Sequence, residues 1–316
     1  MIKATIGTRI AILLLLCATL WVGAPPRQAA ADQLAVQEVT VGIPPLAYLV
    51  KRIGGDLVKV TTLIPAGQDP HSFEPSPGQV AGLSRSTLYF SLDMPFERTL
   101  LARIATDSRP RVIEAGRGIV KLPMPEHHHD HDHVEDPSHG QGELDPHIWL
   151  DPQQLLVIAQ RITDALGEQD PARASYYLAN QRQLQHEIEA LHARLGQLLA
   201  PLAGRTFYVY HPAFGYFANA YDLRQRAVEI GGKTPAPRQL INLIDQAHQD
   251  GVRVIFVQPQ FDRKSAAAVA RAINGVVVPL DPLTEDVLAN LAEMAARIHQ
   301  ALGGLTEQQD LGDQRP

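Results

Sequence analysis

The chain has 316 residues, 45% hydrophobic, 20% charged and 6% aromatic, enough for one large or two modest cores, which excludes a disordered chain and a small disulfide-stapled scaffold. With 28 Lys and Arg against 34 Asp and Glu the net charge is −6, and no basic stretch stands out to hold a polyphosphate backbone, so nucleic acid is not an expected partner. The single cysteine, Cys17, lies in the first apolar run, so a metal in the body of the protein must be held by nitrogen and oxygen ligands.

Lys3 and Arg9 precede an apolar run from Ile10 to Val22, and Ala29-Ala30-Ala31 follows. These are the three regions of a secretory signal peptide spanning 1–31, with cleavage after Ala31. The run is shorter than the ~20 apolar residues of a membrane-spanning helix. A lipid anchor on Cys17 ranks lower, because Leu16 precedes it where a small residue is wanted. Cleavage removes Lys3, Arg9 and Arg27 and no acid, leaving a more acidic, cysteine-free chain. The expected location is periplasmic or extracytoplasmic, and the expected state a monomer.

Short β-branched runs then alternate with helical patterns, the signature of α/β architecture with mainly parallel sheets. Strands are predicted at Val39–Ile43, Val58–Ile64, Thr87–Ser91 and Arg111–Ala115, and again at Thr206–Tyr210, Arg226–Ile230, Val252–Val257 and Val276–Leu280. Between the two sets, Leu184, Ile188, Leu191, Leu195 and Leu198 recur at steps of four and three, predicting a helix over 171–199. Pro171 suits its first turn and Pro201 its end. The expected organisation is two α/β lobes, 32–170 and 200–316, joined by that long rigid helix. The alternative is a helix lying on one continuous sheet.

The segment 123–143 interrupts the pattern. His127, His128, His129, His131, His133 and His139 are interleaved with acids, and nothing there is apolar enough to pack. It reads as a solvated loop, part of the first lobe, that forms a secondary, lower-affinity metal site.

Of the other histidines, His186, His192, His248 and His299 fall in polar helical patterns and read as surface residues. His71, His147 and His211 differ, since each adjoins a proline at an element boundary, in Asp69-Pro70-His71, Asp145-Pro146-His147 and His211-Pro212. The prolines restrict the backbone and lower the cost of ordering a site. Asp281, before Pro282, follows a predicted strand as His71 and His211 do, and ligands of open α/β sheets bind at the carboxyl ends of strands. Three imidazoles and one carboxylate suit tetrahedral Zn2+. Such a site is expected to bind more weakly as pH falls through the imidazole range.

These motifs succeed one another in a recognisable order: DPHSFEPSP at 69–77, the His/Asp-rich loop at 127–139, DPHIWLDP at 145–152, YHPAFGYFANAY at 210–221, GGKTPAPRQL at 231–240, FVQPQF at 256–261 and LDPL at 280–283. The chain thereby resembles, along essentially its whole mature length, the metal-specific solute-binding proteins of ABC transporters, most closely the high-affinity zinc-uptake branch. The resemblance implies two α/β lobes bridged by a rigid helix, with Zn2+ captured in the interlobe cleft and delivered to a membrane permease. It assigns the metal-ligand positions to His71, His147, His211 and Asp281. Manganese-binding relatives commonly place a carboxylate at the third of these, so His211 favours zinc. Two residues depart from the family pattern: Gln258, where many relatives have Glu, and Thr284, where Gly is common. Glu74, Glu229 and Lys233 are further cleft candidates, each equally readable as a surface charge or turn residue. The alternatives are a secreted zinc hydrolase, disfavoured by the lack of an HExxH helix, and a metal-binding adhesin or metal buffer.

Overall fold

The computed structural model describes residues 36–102, 110–124, 144–229, 236–261 and 263–312. The expected signal peptide, the loop histidines His127, His128, His129, His131, His133 and His139, and Lys233 lie outside them.

Among the described residues, eight strands form two four-stranded sheets in which every pairing is parallel. The first contains β1 (Gln37–Val41), β2 (Val58–Thr62), β3 (Leu88–Ser91) and β4 (Arg111–Glu114) in the order β2-β1-β3-β4. The second contains β5 (Thr206–Val209), β6 (Arg224–Ala227), β7 (Val254–Val257) and β8 (Val276–Pro279) in the order β6-β5-β7-β8. β3 is wholly buried and β1, β5 and β7 nearly so, as parallel strands covered on both faces must be, whereas the edge strands β2, β4, β6 and β8 keep exposed positions. Two strands lie toward the N-terminus of their predicted spans, β1 at Gln37–Val41 and, at the sheet edge, β6. β6 begins at Arg224, earlier than the expected Arg226, because an edge strand accommodates Arg224, Gln225 and Arg226 while their polarity hides it from a hydrophobic reading.

The helices are α1 (Pro44–Gly54), α2 (Pro77–Leu83), α3 (Pro95–Leu101), α4 (Pro152–Gln169), α5 (Ala174–Leu199), α6 (Gly215–Ala220), α7 (Pro237–Gln249), α8 (Arg263–Ala272) and α9 (Val287–Gly312). Five of them, α1, α2, α3, α4 and α7, have proline in the first positions, where its fixed φ suits the helix and its missing N–H costs nothing. The long predicted helix divides into a 3-10 turn at Pro171–Arg173, α5, and a closing 3-10 turn at Ala200–Leu202 around Pro201. Leu184, Ile188, Leu191 and Leu195 face inward as expected, but Leu199 takes the place assigned to Leu198, which is half-buried. α4 and α9 were not anticipated. α9 equals α5 in length and packs against it through Val287, Leu291, Met294, Ile298 and their neighbours.

One apolar cluster runs from Val39, Val41 and Phe90 of the first sheet through Leu184, Ile188 and Leu195 of α5 and Leu291 and Met294 of α9 to Phe207, Val209 and Phe256 of the second sheet. A second cluster covers the other face of the second sheet, where Tyr208, Ile255 and Val257 meet Ala247 of α7 and Ala266 and Val269 of α8. The two lobes are therefore α/β layers welded along α5 and α9, and the carboxyl ends of β2, β5 and β8 lead into the loops that carry His71, His211 and Asp281.

Candidate metal centre

The site grows from a repeated local turn. In Asp69-Pro70-His71, Asp145-Pro146-His147, Asp151-Pro152-Gln153 and Asp281-Pro282-Leu283, the aspartate Oδ1 accepts the backbone N–H two residues on, at 2.9, 2.9, 2.8 and 2.9 Å. This is an Asx-turn, with proline as the central residue that needs no hydrogen-bond partner for its nitrogen. In the first two cases the turn ends on a histidine, so its direction is fixed before any metal arrives.

Three of the four expected ligands converge. One ligating nitrogen from each of His71, His147 and His211 lies within 4.8 Å of the others. His71 Nε2 is 3.4 Å from His147 Nε2, and the ring of His71 is centred 4.7 Å from that of His211. His147 and His211 are buried and His71 half-buried. His186 and His248 are exposed, and His192 is half-buried beside the Tyr221 hydroxyl, 3.2 Å away.

Two ligand candidates are held from behind by buried carboxylates. His147 Nδ1 is 2.7 Å from Asp145 Oδ1, and His211 Nδ1 is 2.5 Å from Glu229 Oε1. A carboxylate at Nδ1 holds the proton there and leaves the Nε2 lone pair for a metal. Accordingly His211 Nε2 is buried with no hydrogen-bond partner among the described residues. Glu229, only one of several cleft candidates in the sequence, is 3% exposed and dedicated to His211. Glu74 is exposed.

Gln258 accounts for its own departure from the family pattern. Fully buried, its Oε1 accepts from the backbone N–H of His211 at 3.1 Å while its Nε2 donates to the His211 carbonyl at 2.6 Å. An ionised glutamate has no donor for that carbonyl. Phe261 completes the support by stacking on the His211 ring, 4.9 Å between centroids at 22°.

Asp281 stands outside the histidine cluster. Its Oδ1 accepts from Gln260 Nε2 at 2.8 Å and from the Leu283 N–H of its own turn. The turn is tied to the first lobe by Trp149, whose Nε1 donates to the Pro282 carbonyl at 2.8 Å. Tyr216 of the second lobe makes another tie, accepting from the Leu122 N–H at 2.9 Å and donating to the Asp145 carbonyl at 3.1 Å. Helix α6 can approach Asp145 only because it starts with glycine, since a Cβ on Gly215 would stand 2.8 Å from Asp145 Oδ2.

The electrostatics suit a cation. Burial foremost, and then the positive charge that His147 and His211 carry when protonated, push the His71 imidazole down to about 3, so it is neutral at pH 7. The three histidines, Asp69, Trp149 and Gln260 contribute to the walls of a cavity of about 10 Å3, room for an ion or one water. A larger cavity, about 200 Å3, lies at the amino ends of β5 and β7 near Arg205, Tyr208 and Arg253 and shares no residue with the histidine site.

The family described as ZnuA, zinc-uptake complex component A, periplasmic, matches residues 39–302. The high-affinity zinc uptake system protein ZnuA of Paracoccus denitrificans is 30% identical, covering 81% of this chain and 85% of that protein. A crystal structure of ZnuA matches with a TM-score of 0.76 and 36% identity over 84% of this chain and 99% of that one. The structure of a ZnuA deletion mutant with zinc bound matches with a TM-score of 0.77 and 37% identity over 84% and 98%.

Proposed function

This chain belongs to the ZnuA family of periplasmic zinc-uptake components, and from that premise we propose that it captures Zn2+ in the three-histidine cleft and delivers it to an ABC-transporter permease. The observation that carries the reading is the convergence of His71, His147 and His211, two of them already held in the metal-binding tautomer by Asp145 and Glu229. Zn2+ is the cargo. It exchanges water for three imidazole nitrogens and, as the fourth donor, Asp281 through Oδ2, the oxygen not engaged by Gln260 or Leu283.

The protein acts as a receptor and not as an enzyme. The nearby carboxylates are committed: Asp145 to His147, Glu229 to His211, and Asp69 to the His71 N–H and the Ser72 hydroxyl. The chain is exported by its first 31 residues and works as a monomer. No helix among the described residues is long and apolar enough to cross a membrane.

Calorimetric titration of the metal-stripped mature protein with Zn2+ tests this. One tight site is expected, lost in His71→Ala, His147→Ala and His211→Ala. Tight binding that survives all three substitutions overturns the reading.

A further inference from the structure

We infer that Gln260 is a specificity-determining residue that restricts Asp281 to a single metal-ligating oxygen and so caps the site at four donors. The inference rests on the reading of Asp281 as fourth ligand. Asp281 Oδ1 already receives two hydrogen bonds, from Gln260 Nε2 at 2.8 Å and the Leu283 N–H at 2.9 Å. A carboxylate oxygen so occupied is a poor partner for a cation, which leaves Oδ2. The Leu283 bond belongs to the Asx-turn shared with Asp69 and Asp145, and fixes the backbone. The Gln260 bond is additional to that turn and comes from a different loop, the one following β7.

Gln260 is itself oriented for this task. It lines the histidine cavity, and its Oε1 is buried without a hydrogen-bond partner among the described residues, so its amide is held by the donor end alone. The loop that carries it also supplies Gln258, which grips the His211 backbone, and Phe261, which stacks on the His211 ring. One four-residue segment thus sets both second-lobe donors. Three imidazoles and one monodentate carboxylate match the tetrahedral preference of Zn2+, while Mn2+ favours octahedral, oxygen-rich coordination that a bidentate Asp281 would help to complete.

The test uses the full mature chain loaded with Co2+, whose visible absorption is intense in four-coordinate sites and weak in higher-coordinate ones, together with Zn2+ and Mn2+ competition titrations. Gln260→Met, of similar length and without the donor, and Gln260→Ala are compared with Asp281→Ala. The expected result is an intense four-coordinate spectrum for the parent chain, a weaker one for both Gln260 variants, and a fall of about tenfold or more in preference for Zn2+ over Mn2+. If both Gln260 variants keep the parent spectrum and preference while Asp281→Ala alters them, the role of Gln260 is overturned and the ligand reading stands. If Asp281→Ala also leaves spectrum and affinity unchanged, the four-ligand reading fails, and the inference with it.

Discussion

Glu229 Oε1 sits 2.5 Å from His211 Nδ1 with both side chains buried, a pairing between the segment that follows β6 and the loop that follows β5. It is laid down by the sheet itself. The backbone N–H groups of Val228 and Glu229 bond to Tyr210 just before His211, so the ladder continues past the strand and brings the carboxylate to the ring. The same relation joins Asp145 to His147 over two residues.

Removing the charge from either carboxylate therefore weakens zinc binding without removing a ligand. Glu229→Gln and Asp145→Asn are each expected to lower Zn2+ affinity about 10- to 100-fold. Calorimetry checks this, with circular dichroism as the control for folding.

The proton linkage of His71 runs opposite to that of a histidine whose pKa is raised by an acidic partner. Its pKa is depressed to about 3, against about 6.5 in the unfolded chain, chiefly by burial. Between those values the unfolded state binds the extra proton, so stability rises with pH there. The contribution of His71 is complete above about pH 6.5 and is lost as pH falls toward 3. The metal-free protein is expected to unfold at lower urea concentration at pH 5 than at pH 7, with a smaller difference in His71→Gln. Proton competition with Zn2+ at His71 is accordingly expected below the ordinary imidazole range.

Gln258→Glu places a carboxylate against the His211 carbonyl, where the parent chain has a donor at 2.6 Å. The expected cost is about 1–3 kcal/mol of stability, the price of an unsatisfied buried acceptor, with weaker zinc binding as His211 shifts. Chemical denaturation and a zinc titration of the same variant measure the two effects.

Tyr216→Phe removes one hydroxyl and two hydrogen bonds between the lobes, to Leu122 and Asp145. A loss of about 1–3 kcal/mol is expected, seen as a lower denaturation midpoint. Because Asp145 also holds His147, zinc affinity falls in the same variant but not in a substitution at the exposed Val120.

Deleting residues 127–139 is expected to keep one tight site, since every described member of the centre lies outside that segment. Total zinc bound per chain falls, as counted by calorimetric stoichiometry. Loss of the tight site would assign it to the loop.

Much of the centre was readable in advance because Asp-Pro-His is both a sequence motif and a turn. His71 and His147 were recognisable from it, and the same turn at Asp281 follows from the same letters. Glu229 and Gln258 were not assignable, because their partner His211 is 18 and 47 residues away and only strand pairing brings them together. In the fold, the β-branched runs marked all eight strands, with β6 blurred by its two arginines. α9 escaped notice because its helical pattern follows the last strand without the flanking motifs that marked 171–199, and its importance lies in contacts with α5 more than 80 residues earlier.

The apolar cluster that crosses from one sheet to the other by way of α5 and α9 joins the two lobes through one shared core. Unfolding of either lobe is therefore expected to be coupled to unfolding of the other. Trimming Ile188 to Ala, at about 2–5 kcal/mol, is then felt at both ends of the chain at once, and zinc bound near the lobe junction raises the melting temperature of the whole. Cargo occupancy is written into the global stability of the receptor, so a loaded molecule outlasts an empty one wherever proteases sample open states.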